Sequence, residues 1–255
     1  MTLAGQSASL ARGASARLAR IDRELERTYG TPEYELGNQS DPLDESVYII
    51  LSFQTDLARL KASWESLRRR FPSWLDVRHA RLPAVARSIQ ASGLQVQKAE
   101  RIKALLSAVE DRAGSLSLDC LHALSDEEAE RFLLKLPGLS WKGARCVLLY
   151  SLSRARFPVD GNTFRILKRT GVLCPNSVYR RRELHDALER VVPAARRRLL
   201  HVNLVVHGQR TCIPGRPRCP ACPLSDFCPR IGVDTPSGAA PNAGKRKRAT
   251  QRGAG

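Results

Sequence analysis

The chain has 255 residues, with 42 Lys+Arg against 25 Asp+Glu and a formal net charge of +17. That length suffices for one or two domains with a real core; 42% hydrophobic residues exclude wholesale disorder, and no stretch approaches the roughly 20 apolar residues of a membrane helix. The positive excess points to a polyanion as partner, nucleic acid first, and a Leu-, Ala- and Arg-rich chain with 5% aromatics leans helical.

In chain order, a charged helix is predicted from about Ser15 to Tyr29, stopped by Gly30 and Thr31-Pro32. Asp41-Pro42 opens the next: Asp as N-cap, Pro at the first position, Asp44 and Glu45 on the positive helix end. Its body, Val47-Tyr48-Ile49-Ile50-Leu51, is apolar nearly all round and reads as buried. Helices follow over Leu57 to Phe71, Leu82 to Ile89 and Lys98 to Val109. Ser125 with Glu128 forms a capping box ahead of Ala129, Phe132, Leu133 and Leu136 at helical spacing, and Pro137-Gly138 breaks that helix. The next carries Ala144, Val147, Leu148 and Leu152 on one face; Arg181 to Val192 and Arg197 to Val206 are the last. No strand and no internal repeat is predicted. Beyond Ile231 the chain is Gly/Pro/Ala/Ser-rich and ends in Lys245-Arg246-Lys247-Arg248, a disordered basic tail that reads as a DNA tether or a nuclear signal. The acid-free first twenty residues read as a frayed basic terminus, with an organellar transit peptide as the alternative.

Of the seven cysteines, Cys120, Cys146 and Cys174 stand alone, while Cys212, Cys219, Cys222 and Cys228 share one short Pro-rich segment. With no secretory segment ahead of them, a metal site in a reducing compartment is expected rather than a disulfide scaffold. Only one C-x-x-C is present, whereas structural zinc sites usually pair two close ligand couples. A [4Fe-4S] cluster takes four cysteines and tolerates unequal spacing; zinc is its rival.

Leu136-Pro137-Gly138-Leu139-Ser140-Trp141-Lys142-Gly143 lies between two amphipathic helices. Such a hairpin offers backbone N–H groups to a phosphate without reading sequence. Lys142 falls in the first turn of the second helix, where the positive helix end should push its pKa down toward a usable nucleophile; a lone lysine is otherwise a solvated charge. In Pro158-Val159-Asp160-Gly161-Asn162, Asp160 is by default the N-cap of a helix starting near Thr163.

The hairpin lysine, a Val-Asp eighteen positions later and C-x6-C-x2-C-x5-C together resemble the endonuclease III family of helix–hairpin–helix DNA glycosylases, over about Asp41 to Pro229. Leu51-Ser52-Phe53-Gln54-Thr55 is similar to the family's Leu-Ser-x-Gln-Thr segment, and His207-Gly208 precedes the cysteines as in the family. The resemblance implies an all-α fold of two helical domains with the active site in the cleft between them. One would be a six-helix barrel with the helix–hairpin–helix, residues 46–155; the other an iron–sulfur cluster domain combining an N-terminal helix, 15–45, with 156–231, and 232–255 would be tail. It implies that Lys142 is the nucleophile, Asp160 the catalytic carboxylate, and Cys212, Cys219, Cys222 and Cys228 the ligands of a [4Fe-4S] cluster. Gln54 and Leu94 would fill the gap left by the extruded base. Pro137, Gly138, Leu139, Ser140 and Gly143 would meet the DNA backbone, and Arg216 and Arg218, on the loop Ile213 to Arg218, would face phosphates. The partner would be double-stranded DNA carrying damaged bases or abasic sites, the protein a monomer away from any membrane. Its compartment would be the bacterial cytoplasm and nucleoid, or a eukaryotic nucleus or mitochondrion.

The residues fit this chemistry independently. A base inside a duplex is unreachable, so its nucleotide must be flipped out. An amine attacking C1′ displaces the base and leaves a Schiff base, which permits β-elimination of the 3′ phosphate; a carboxylate can activate the amine and stabilise cationic sugar. The implied function is a bifunctional glycosylase/AP lyase on damaged, oxidised pyrimidines. Alternatives are the same mechanism on a pyrimidine dimer or a modified cytosine, or a non-catalytic DNA-binding paralogue. Ser140 stands where the family has Gly, although Ser can still cap the next helix, and Gly161 stands where Thr is common. Stretches from Leu133 to Leu149 are similar to the plant methylcytosine-excising branch. Trp141 reads as core or as a wall of the base pocket, and Arg180-Arg181-Arg182 and Arg196-Arg197-Arg198 are expected at phosphates.

Overall fold

A computed structural model describes residues 10–31, 36–179 and 181–233. Expectations that fall on the first nine residues, Pro32, Arg180 and nearly all of the tail lie outside the described residues. Regular structure among the described residues is helical, apart from one isolated bridge between Leu10 and Leu173. The α-helices are α1 (Ala14–Tyr29), α2 (Pro42–Ser52), α3 (Leu57–Arg70), α4 (Trp74–His79), α5 (Leu82–Ser88), α6 (Gln95–Ala113), α7 (Asp126–Leu134), α8 (Trp141–Tyr150), α9 (Gly161–Arg169), α10 (Arg182–Val191) and α11 (Arg197–Arg210). None is long and apolar enough to cross a membrane.

Caps set several ends where the sequence puts them. Asp41 accepts from the N–H groups of Leu43 and Asp44 with Pro42 in the first turn, and Ser125 with Glu128 makes both bonds of its capping box. Ser73 and Asp76 make a second box over α4, a helix too short to show a period in sequence. The helix predicted over Lys98 to Val109 is longer at both ends: it follows Leu94, left-handed at φ 49°, and stops at Gly114, at φ 73°. Its first residues, Gln95-Val96-Gln97, lack apolar periodicity, which conceals the true start.

Two buried apolar cores result. The first draws on α2 to α8, with Val47, Leu51, Ile102, Leu106, Leu133 and Val147 among its fully enclosed side chains. The second joins Ala14, Leu18, Ile21 and Leu25, one face of α1, to Phe157, Ile166, Leu184, Leu188 and Leu224. Helix α11 serves both: Val202, Val205 and Val206 lie in the first core, Leu200 and Leu204 in the second. Arg145, fully buried, pairs with Glu130, Asp186 and Glu189, tying α8 and α7 to α10. Arg196 holds Asp22 and Glu26 of α1 at 2.7 and 2.6 Å.

Candidate active site

A cavity of about 630 Å³ opens where the hairpin, the end of α2, the start of α9 and the middle of α11 meet. Lys142, in the first turn of α8, and Asp160, just before α9, both line it, with Gln54, Gly138, Ser140 and Trp141. Leu94 stands outside that lining on a neighbouring exposed turn, joined to the Gln54 turn by Thr55 Oγ1, 2.8 Å from Ser92 O. The hairpin needs glycine at Gly138, where φ is 86° and a β-carbon would stand 3.0 Å from Ile50 Cδ1. Ser140 sits at φ −116°, extended backbone open to any residue, so the departure from glycine strains nothing. Its hydroxyl makes no capping bond, contrary to expectation, so the first turn of α8 has no side-chain cap. Pro137 is exposed, and Leu139 packs over the buried Gly143. At Gly161 a β-carbon would meet only Tyr179 Oη at 3.8 Å, so the backbone there does not require glycine.

Asp160 is both N-cap and cavity wall. Its Oδ1 accepts from Thr163 N at 2.7 Å and its Oδ2 from Asn162 Nδ2 at 2.9 Å. Burial works to raise its pKa, but His201, the Thr163 N–H, Lys142 and Asn162 outweigh burial and hold the carboxyl below its ordinary value. For Lys142 the expected direction is overturned. Burial does work to lower its pKa, but the electrostatic influence of Cys146, Asp160, Glu45 and Tyr179 raises it above the usual lysine value. Asp160, ionised beside it, and the other acidic neighbours outweigh both burial and the helix end, whose field is worth only a fraction of a charge. The amine is therefore an ammonium in the free protein.

Three groups of this site are not singled out by sequence. Glu45, wholly buried, accepts from Asn38 Nδ2 at 2.6 Å and Gln39 N at 2.7 Å, and burial pushes its pKa up to about 7. His201 lines the cavity with Nδ1 2.5 Å from Tyr150 Oη; burial pushes it down to about 4, so it is a neutral imidazole. Burial pushes the Cys146 thiol up to about 12. Only Cys146 left a trace in sequence, four positions after Lys142 and hence on the same helix face. Glu45 looks like an ordinary helix-start acid.

Cys212, Cys219, Cys222 and Cys228 line one small pocket behind α9 and α11. No three Cys, His, Asp or Glu side chains among the described residues stand close enough to hold a single metal ion. N–H donors reach the sulfurs: Arg169 Nη1 lies 3.3 Å from Cys212 Sγ and Leu224 N 3.4 Å from Cys222 Sγ. Arg165 donates to Cys212 O at 2.9 Å and to Asn162 Oδ1 at 2.9 Å, linking this segment to Asp160 through Asn162. Arg216 and Arg218 are both exposed on the loop between Cys212 and Cys219. Arg196-Arg197-Arg198, expected at phosphate, is largely committed to the fold. Arg196 pairs with α1, Arg197 donates to Val192 O, Ala155 O and Glu189 O, and Arg198 lies over the Tyr150 ring. A run of like charges in sequence does not reveal partners distant along the chain.

Comparison with known proteins identifies the family and the fold. Residues 47–193 match the family described as HhH-GPD superfamily base excision DNA repair protein. A protein of Arabidopsis thaliana that carries the name of a DNA glycosylase is 32% identical over 167 residues, 66% of this chain and 56% of that one. The DNA glycosylase/AP lyase ROS1 of the same plant is 31% identical over 170 residues, 61% of this chain but 12% of ROS1. This chain thus spans about half the length of the first relative and a small part of the second. The fold is that of endonuclease III: a solved non-covalent endonuclease III–DNA complex superposes with a TM-score of 0.72 at 21% identity, covering 84% of this chain and 94% of that one. With its helical architecture and its hairpin, the chain belongs to the HhH-GPD superfamily of base excision DNA repair proteins, in an endonuclease III-like form.

Proposed function

We propose that this protein is a bifunctional DNA glycosylase and AP lyase that excises oxidised pyrimidines from double-stranded DNA and acts as a monomer. The observation that carries the reading is the meeting of Lys142 and Asp160, from separate segments, on one cavity, with the charge of each acting on the other. The domains are read as a barrel over 46–155 and a second unit over 15–45 and 156–231, with the cavity between them; the two cores support this division except that Leu36, Leu43 and three valines of α11 pack in the first. DNA lies across the hairpin, where Pro137 to Ser140 and Gly143 offer backbone to a phosphate. Gln54 and Leu94 fill the gap beside the flipped nucleotide, and Arg216 and Arg218 hold flanking phosphates.

Lys142 Nζ, once its ammonium has given a proton to water, attacks C1′; the C1′–N bond breaks and its electron pair leaves with the base, which takes up a proton from water. Asp160, ionised across the neutral range, stabilises the positive charge that grows on the sugar. Opening of the C1′–O4′ bond gives the Lys142 Schiff base, and loss of a C2′ proton expels the 3′ phosphate. The neutral His201 and Cys146 add no positive charge beside the sugar.

The four cysteines fit a [4Fe-4S] cluster: they share one pocket, and N–H groups donate to two of the sulfurs, those of Cys212 and Cys222, as they would to thiolate ligands. A cluster held by Cys212, Cys219, Cys222 and Cys228 would cross-link the segment that carries Arg216 and Arg218. The test of the function is borohydride trapping on abasic-site DNA. Wild type should give a covalent adduct, and Lys142→Ala should abolish both adduct and strand cleavage. Asp160→Asn should slow chemistry by roughly 10²–10⁴-fold with DNA affinity kept or raised. Trapping that survives in Lys142→Ala would overturn the assignment. A lesion panel including oxidised pyrimidines, a pyrimidine dimer and a modified cytosine identifies the base.

A further inference from the structure

Gln54 and Leu94 are exposed, and both are in the left-handed region, at φ 50° and 49°. That conformation disfavours side-chain-bearing residues, so something must hold each turn. Lys98 lies beneath them, 1% exposed. Its Nζ donates to Leu51 O at 2.9 Å, Thr55 Oγ1 at 2.6 Å and Ser92 O at 2.7 Å, which uses all three ammonium hydrogens. Leu51 and Thr55 bracket the Gln54 turn; Ser92 immediately precedes Gly93 and Leu94. The three acceptors are neutral, so the buried charge is held by dipoles alone, and burial pushes its pKa down to about 8. A methionine would fill the same volume without a directional bond. Burying an ammonium here is costly for packing alone, whereas three aimed donors fix two turns relative to each other.

We propose that Lys98 is a positioning residue for DNA engagement: its ammonium ties the Gln54 and Leu94 turns into one rigid wedge, so that both side chains enter the gap of an extruded nucleotide together. This rests on the reading of Gln54 and Leu94 given under the proposed function. Lys98 touches neither DNA nor the reacting atoms; it acts through the backbone of both turns.

The test uses the full chain and a duplex in which a tetrahydrofuran abasic analogue lies opposite 2-aminopurine, whose emission reports insertion into the gap. Lys98→Met and Thr55→Val are compared with Gln54→Ala and Leu94→Ala. Lys98→Met should lose most of the emission change at saturating protein. It should also raise KM for lesion excision about tenfold or more, while kcat for cleaving a preformed abasic site stays within about threefold. Thr55→Val removes one of the three acceptors and should show the same signature in milder form; it decides the matter if Lys98→Met does not fold. A fall in melting temperature with wild-type emission and KM would overturn the proposal and make Lys98 a packing residue. Were Gln54→Ala and Leu94→Ala also to keep wild-type emission, the gap-filling reading itself would fall, and the proposal with it.

Discussion

Gly208 in α11 lies so close to Asn162 that a β-carbon on it would stand 2.6 Å from Asn162 Cβ. Asn162 in turn donates to Asp160 Oδ2, so the position of the carboxylate depends on a glycine whose backbone is ordinary helix. Gly208→Ala should push Asn162 aside and misplace Asp160. Single-turnover excision should slow by about 10–10²-fold with DNA affinity retained. Asn162→Ala should give a similar loss without the steric change. If excision by Gly208→Ala matches wild type, the contact does not govern Asp160.

The purified protein should be brown, with broad visible absorption that bleaches on oxidation. Replacing any of Cys212, Cys219, Cys222 or Cys228 with serine should lower iron content and loosen the segment around them. Cys120→Ser, Cys146→Ser and Cys174→Ser should keep full iron. A colourless protein with stoichiometric zinc would contradict the cluster.

Glu45 makes stability depend on pH. Its pKa rises from 4.5 to about 7 on folding, so between these values the folded state binds the extra proton and the unfolded state does not. Stability contributed by this group is complete below pH 4.5 and falls as pH rises to about 7, by about 3 kcal/mol. Glu45→Gln should remove this loss and melt higher than wild type above pH 7. Melting curves from pH 5 to pH 8 would show it, and parallel profiles for the two proteins would exclude it.

The exposed Arg216 and Arg218 should each contribute to salt-dependent binding. Replacing either with alanine should flatten the log–log salt slope by about one unit on any duplex. An unchanged slope in both variants would place the loop away from phosphate.

What the sequence discloses divides by range. Helix ends governed by adjacent residues, such as Asp41 with Pro42 or Ser125 with Glu128, are legible because cap and partner lie within one turn. So are the hairpin and the cysteine segment, whose spacing is itself the signal. The environment of Lys142 is not, since Asp160, Glu45 and Tyr179 reach it only through folding and reverse the shift its helix position implies. Lys98 reads as a surface charge at the start of α6, because its acceptors Leu51, Thr55 and Ser92 belong to other segments. Arg196 and Arg197 likewise read as free charge until α1 and the Glu189 region are brought against them.

The division of the two cores along the chain sets an order of assembly. The first core is drawn almost wholly from a contiguous stretch, Leu36 to Tyr150, and lacks only three valines of α11. The second needs α1 from the beginning and side chains as late as Leu224. During synthesis α1 therefore emerges first and waits, its Ala14–Leu18–Ile21–Leu25 face uncovered, until the last helices arrive. The cysteine segment is completed on that late half, so a nascent chain acquires its hairpin and Lys142 before the four cysteines are all made. If the cysteines hold the proposed cluster, a block in its delivery would leave the hairpin-bearing half complete and loosen only the late edge of the second core, around Leu224.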